Sequence, residues 1–172
     1  AIREKALGPE HPDVAESLNS LAGLLRAQGS YVEARPLYER ALAIGEKVYG
    51  SEHDSLAESI NGLASLLQAQ GSYLDARPLY ERSLVILEKS VGLEHSSVAV
   101  ALNNLAVLLK SQGFYVEARS LYERSLAIKE KAYGPHHSDV ANSLSSLALL
   151  FEEQGFYAEA RPLHERSLAI RE

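Results

Sequence analysis

The feature that most constrains this chain is a strict internal period of 42 residues. Glu10-His11 recurs as Glu52-His53 and Glu94-His95, and the fourth copy falls on His136-His137. Gln28-Gly29, Gln70-Gly71, Gln112-Gly113 and Gln154-Gly155 keep the same step, as do Tyr31, Tyr73, Tyr115 and Tyr157. A chain built from self-similar units of this length stacks small structural modules, each covering the next, rather than folding around one large core. Four periods account for 168 of the 172 residues. The four left over, Ala1-Ile2-Arg3-Glu4, match Ala43-Ile44-Gly45-Glu46 and Ala169-Ile170-Arg171-Glu172, so both ends are expected to cut through the same helix. The expected repeats are about 9–50, 51–92, 93–134 and 135–172, with 1–8 the end of a preceding helix, in a single array over 1–172. A start inside a repeat and without methionine suggests a piece of a longer protein.

Each period has two helical halves. In the first, helix A, Leu18, Leu21, Ala22 and Leu25 stand at i, i+3, i+4 and i+7, one apolar stripe of a helix from Asp13 to Gln28. Gly29 ends it, because glycine enters the left-handed region that a helix C-terminus requires. Ser30 with Glu33 reads as a capping box opening helix B, and Ser72 with Asp75 as a weaker version. Helix B runs to about Val48 on Tyr31, Ala34, Tyr38 and Ala41, with Leu37, Leu42 and Ile44 widening its apolar face, and Gly50, Gly92 and Gly134 stop it. Pro36, Pro78 and Pro162 lie inside the helix B pattern, where each removes one backbone donor and is expected to bend the helix mildly. Arg35 with Glu39, Arg77 with Glu81, Arg119 with Glu123 and Arg161 with Glu165 are i, i+4 surface ion pairs worth a few tenths of a kcal/mol each.

Several kinds of chemistry fall away on composition. There is no cysteine, so no disulfide framework, thiolate nucleophile or zinc-thiolate site is possible. The net charge of −6 repels phosphate backbones, so no nucleic-acid partner is expected. No apolar run approaches the roughly 18 residues of a membrane span and no signal-peptide pattern opens the chain, which makes no membrane partner and a cytoplasmic location the expectation. The histidines recur once per loop, and one-per-loop ligands cannot close a tetrahedral site, so they are read as loop or helix-start residues and no metal is expected. His164 stands where Tyr38, Tyr80 and Tyr122 stand in the other repeats and is read as a packing variation. With no nucleophile-elbow or phosphate-cradling pattern, neither an enzyme nor a cofactor is expected.

The placement Leu18, Leu21, Ala22, Leu25, Gly29, Tyr31, Ala34, Tyr38, Ala41 resembles the tetratricopeptide signature in all four repeats. Leu18 and Ala22 stand where an aromatic and a glycine are common, and Glu46 replaces the usual proline late in helix B. A 42-residue period also suits three-helix armadillo units, and it is the small-residue placement that favours the tetratricopeptide pattern. His11-Pro12-Asp13-Val14-Ala15, Leu102-Asn103-Asn104-Leu105-Ala106 and Tyr122-Glu123-Arg124-Ser125-Leu126 are similar to the repeats of kinesin light chains.

The resemblance implies an all-α, right-handed superhelical solenoid of antiparallel helix pairs whose A helices line a concave groove. By that analogy the groove residues are Glu16, Asn19, Gly23 and Arg26; Glu58, Asn61, Ser65 and Gln68; Val100, Asn103, Val107 and Lys110; and Asn142, Ser145, Leu149 and Glu152. It further implies that Asn19, Asn61 and Asn103 form a ladder that bonds a peptide backbone, with Ser145 breaking the series. The competing reading is that these asparagines bond the neighbouring helix or water. Three rungs of about 1 kcal/mol each stay below the roughly 4 kcal/mol of a millimolar complex, so affinity has to come from side-chain pockets. Val100, Val107 and Leu149 are the apolar candidates for one, unless helix A rotates and buries them. The function expected is a scaffold binding an extended protein or peptide segment; the alternative is a structural module that self-associates end to end.

Overall fold

The computed structural model describes residues 6–172, which form eight α-helices. They are α1 (Pro12–Ala27), α2 (Tyr31–Tyr49), α3 (Ala57–Ala69), α4 (Tyr73–Val91), α5 (Ser96–Ser111), α6 (Tyr115–Tyr133), α7 (Ser138–Glu153) and α8 (Tyr157–Arg171). The odd-numbered helices are the A helices and the even-numbered ones the B helices of the four repeats. The chain divides into two compact units, 1–91 with α1–α4 and 92–172 with α5–α8. Each unit is two helix pairs, every A helix packed on its own B helix and the first B helix packed on the second A helix. The helix-B end expected over 1–8 lies outside the described residues except for its last three positions.

Helix starts follow from the loop histidines. His11, His95 and His137 take extended backbone at the N-caps of α1, α5 and α7, and their side chains accept from the backbone N–H two residues on. Each occupies the place of a Ser or Asp cap and satisfies one of the donors that a helix N-terminus leaves open. His53 does the same for a short 3-10 turn, Asp54–Leu56, that precedes α3. The capping box expected at the first B helix is not formed: Ser30 makes no side-chain cap bond to α2. It follows directly on Gly29, whose φ is +78°, and its N–H is already drawn back to the Leu25 carbonyl. With the Gly29 N–H on the Arg26 carbonyl, this closes a Schellman motif that also fixes where helix B begins.

Within a repeat the two helices meet at small residues. Ala22, Ala34 and Ala41 are fully buried, with Tyr38 filling the remaining seam, and the pattern recurs at Ala64, Ala76 and Tyr80, then at Ala106, Ala118 and Tyr122. Between repeats the contact is made by the next positions of helix A. Leu63 and Leu66 of α3 are buried, as are Leu147 and Leu150 of α7. Leu21 and Leu24 of α1 hold the same places but are 47% and 56% exposed, so Leu21 does not join the buried stripe expected of it.

Candidate functional site

The residues expected to face a groove divide between the two units. On α1 and α3, Glu16 and Glu58 are exposed. Asn19 is buried, and its Oδ1 accepts from the Ser59 hydroxyl of α3 at 3.0 Å, which ties the two A helices together. Asn19 is therefore held by its neighbour and is not displayed. Asn61 is half-buried, and its Oδ1 is enclosed without a hydrogen-bond partner among the described residues. Arg26 donates to the Ser65 hydroxyl at 2.9 Å, again from α1 to α3. Gln68 accepts from the Tyr80 hydroxyl at 3.0 Å, and burial pushes the pKa of that phenol up. Position after position, this A-helix face spends its polar groups on the neighbouring helix.

The face of α5 and α7 has different chemistry. Val100 is 51% exposed and Leu149 47%, and Val107 is half-buried, so rotation of helix A does not remove these apolar groups from the surface. Asn103 and Ser145 are half-buried, and Ser145 shares a hydrogen bond of 2.9 Å with Ser167. Asn142 is exposed, and its Oδ1 accepts from Arg171 at 3.1 Å. Lys110 pairs with Glu153 at 2.7 Å. Glu152 bonds His164 at 3.2 Å, so that histidine keeps the polar link to helix A that Tyr80 makes to Gln68.

Behind this second face lie two perturbed groups. Tyr122 is pushed up to about 12, first by burial and then by the charge of Glu153. Lys129 on α6 is lowered by burial, and its ammonium donates to the Ser143 hydroxyl of α7 at 2.9 Å. Among the described residues no group of three histidines, cysteines or carboxylates is placed to hold a metal, and no helix is long and apolar enough to cross a membrane.

The seams also hold residues that periodicity alone passes over. A Cβ on Gly62 would lie 2.2–2.8 Å from three atoms of the Tyr38 ring, and one on Gly45 would lie 2.5 Å from Leu56 Cδ2. The signal was legible as glycine in mid-helix, a costly residue there unless something packs against its backbone.

The family model described as tetratricopeptide repeat matches residues 1–44, 13–89 and 97–172. No curated protein matches the chain. Among solved structures, BtubC (BKLC) from P. vanneervenii is similar over 94% of this chain, with a TM-score of 0.83 and 26% identity. This chain spans 65% of that protein's length. The kinesin light chain-like protein from Podosopora anserina, with nearly identical TPR-like repeats, is 34% identical over 99% of this chain and 81% of its own, with a TM-score of 0.78. RapI in its apo form, 21% identical over 92% of this chain and 56% of its own with a TM-score of 0.78, shares the fold.

Proposed function

This chain belongs to the tetratricopeptide-repeat family, and from that membership we propose that it is a protein-interaction scaffold whose A-helix faces take an extended segment of a partner protein, the four repeats serving as one array. The observation that carries the reading is the face of α5 and α7, where Val100 and Leu149 stay half exposed on helices whose remaining apolar positions are buried. Apolar surface left in water beside polar anchors such as Asn142 and Asn103 is what a peptide side chain covers with gain, at about 25 cal/mol per Å². Asn103 and the NH2 end of Asn61, whose Oδ1 is enclosed, remain for a peptide backbone, while Asn19 is engaged by Ser59.

The test is selection of binding peptides from a displayed random library, followed by calorimetry on the Asn61→Ala/Asn103→Ala and Val100→Asp/Leu149→Asp variants. The aspartates should abolish binding, and the alanines should weaken it about tenfold or more, equivalent to about 1.4 kcal/mol, with helical content and melting unchanged. Peptides that bind both variants as they bind the original chain would remove the A-helix faces from consideration.

A further inference from the structure

The two units are related position by position through a step of 84 residues, twice the repeat, so each supplies an internal control for the other. In the second unit Lys129 on α6 reaches into the junction between its repeat and the next, where its ammonium donates to Ser143 on α7. In the first unit the same position is Gly45 and the position of Ser143 is Ser59. The cationic side chain is missing, and the Ser59 hydroxyl donates to Asn19. A cavity of ≈ 250 Å³ occupies the junction, lined among others by Glu16, Asn19, Gly45, Tyr49, Glu58 and Ser59.

A third copy of the position adds a second contact. Arg171 on α8, 42 residues after Lys129, donates to Asn142 Oδ1, and Asn142 holds the place that Glu16 holds in the first repeat and Glu58 in the second. Two sister repeats thus fill this location with a cation of their own, one directed to the next A helix and one to its own. At Gly45, Leu56 fills part of the vacated space and the cavity lies beside it, flanked by two carboxylates in place of Val100 and Asn142. The cavity is smaller than the roughly 300–1,000 Å³ of small-molecule sites and is scaled to one side chain.

We propose that this pocket receives a lysine or arginine side chain of the bound partner, which supplies in trans the cation that Lys129 and Arg171 supply in cis. The inference rests on the reading that a peptide lies along the A-helix face, and it adds a basic residue to that peptide at the junction of the first two repeats. The Ser59 hydroxyl, which donates its proton to Asn19, keeps its lone pairs to accept from that cation, as Ser143 accepts from Lys129. The aliphatic stem lies on the apolar wall of Ala15 and Ala41, which also line the cavity.

The experiment is a nitrogen-15 NMR titration of the 172-residue chain with acetyl-Gly-Gly-Lys-Gly-Gly-amide, its arginine analogue and a norleucine analogue of equal length. The lysine or arginine peptide should shift the amides of Gly45, Ser59 and Glu58 in a saturable way, and norleucine should not. Glu58→Gln should weaken the interaction about threefold, as expected for loss of one exposed charge, and Glu58→Lys should abolish it. Gly45→Lys with Leu56→Val rebuilds the arrangement of the second unit, where Val140 stands in place of Leu56, and should fill the pocket. Equal shifts with norleucine, or basic-peptide binding that survives Glu58→Lys, overturn the proposal. A library-selected peptide that binds the filled variant and the original chain equally well also ends it, while leaving the A-helix face as the binding surface.

Discussion

The two units use one plan with different fillings at the junction between their repeats. In the second, Lys129 and Val140 hold the positions of Gly45 and Leu56, and Ser143 takes the ammonium; in the first, Gly45 gives way to Leu56 and Ser59 donates to Asn19. Leu56 is buried with Ile60 and Ile86 and packs against Leu42 and Leu79, so the larger residue strengthens the apolar seam where the cation is gone. The junction of the first unit gains core and loses a polar tether, and the junction of the second does the reverse. Equal repeat length and equal helix pattern therefore do not make equal interfaces. What varies is the volume at two or three facing positions, and close packing makes even one methylene there count.

The largest break in this comparison comes from Gly62. Gly62→Ala drives a methyl into the buried Tyr38 ring and should cost about 2–3 kcal/mol, seen as a lower thermal midpoint, whereas Ser146→Ala at the matching position of the second unit should stay within about 0.5 kcal/mol. A melting point for Gly62→Ala equal to the original would mean that Tyr38 has another place to go.

Next in size is a pair with opposite signs. Ser125 and Ser167 donate to the carbonyls of Ala99 and Ala141 at 2.7 and 2.8 Å, while Ser83, 42 residues before Ser125, is fully buried with no partner for its hydroxyl among the described residues. Ala57, the counterpart of Ala99, follows the 3-10 turn that leads into α3. Ser125→Ala should cost about 1 kcal/mol and Ser83→Ala should gain about as much in chemical denaturation, because one removes a bond and the other an unpaired group. Losses of equal size in both would show that Ser83 is satisfied in solution.

The smallest effect is at Lys110 and Glu153. Glu153→Gln should cost no more than about 1 kcal/mol, since the carboxylate is half exposed. Its sharper readout is alkaline. Tyr122 is held up to about 12 against an ordinary 10.0, so the stability it contributes is complete below pH 10 and is lost as pH rises through about 12. Removing the charge of Glu153 should bring the ultraviolet titration of this phenol to lower pH, with burial keeping it above 10. A titration that does not move would assign the whole shift to burial.

The architecture was legible in the sequence because period, helix stripe, terminal glycine and small-residue seam all point to the same helix pair. Asn19 shows where legibility stopped. Its spacing matches Asn61 and Asn103, yet whether an amide faces a ligand or a neighbour depends on the hydroxyl opposite, and Ser59 lies 40 positions away on another helix. The partners of Arg26 and Lys110 were hidden for the same reason, Ser65 and Glu153 standing on the following A helix. The histidine caps carry a related lesson: a role in the helix start followed from their recurrence, but the acceptor geometry that makes them caps did not. Ser30 looked like a cap and is not one, because the Schellman turn had already claimed its backbone.

The fit of Leu56 into the space above Gly45 also bears on how a chain of near-copies finds its order while folding. Interchangeable modules invite swapped neighbours, a recurrent failure of repeat proteins. Leu56 needs a partner helix without a side chain at one point, and among the B helices only α2 has one, since α4, α6 and α8 carry Leu87, Lys129 and Arg171 there. The small void beside a large residue thus works as a molecular key, admitting the correct sequence neighbour and turning away the look-alikes.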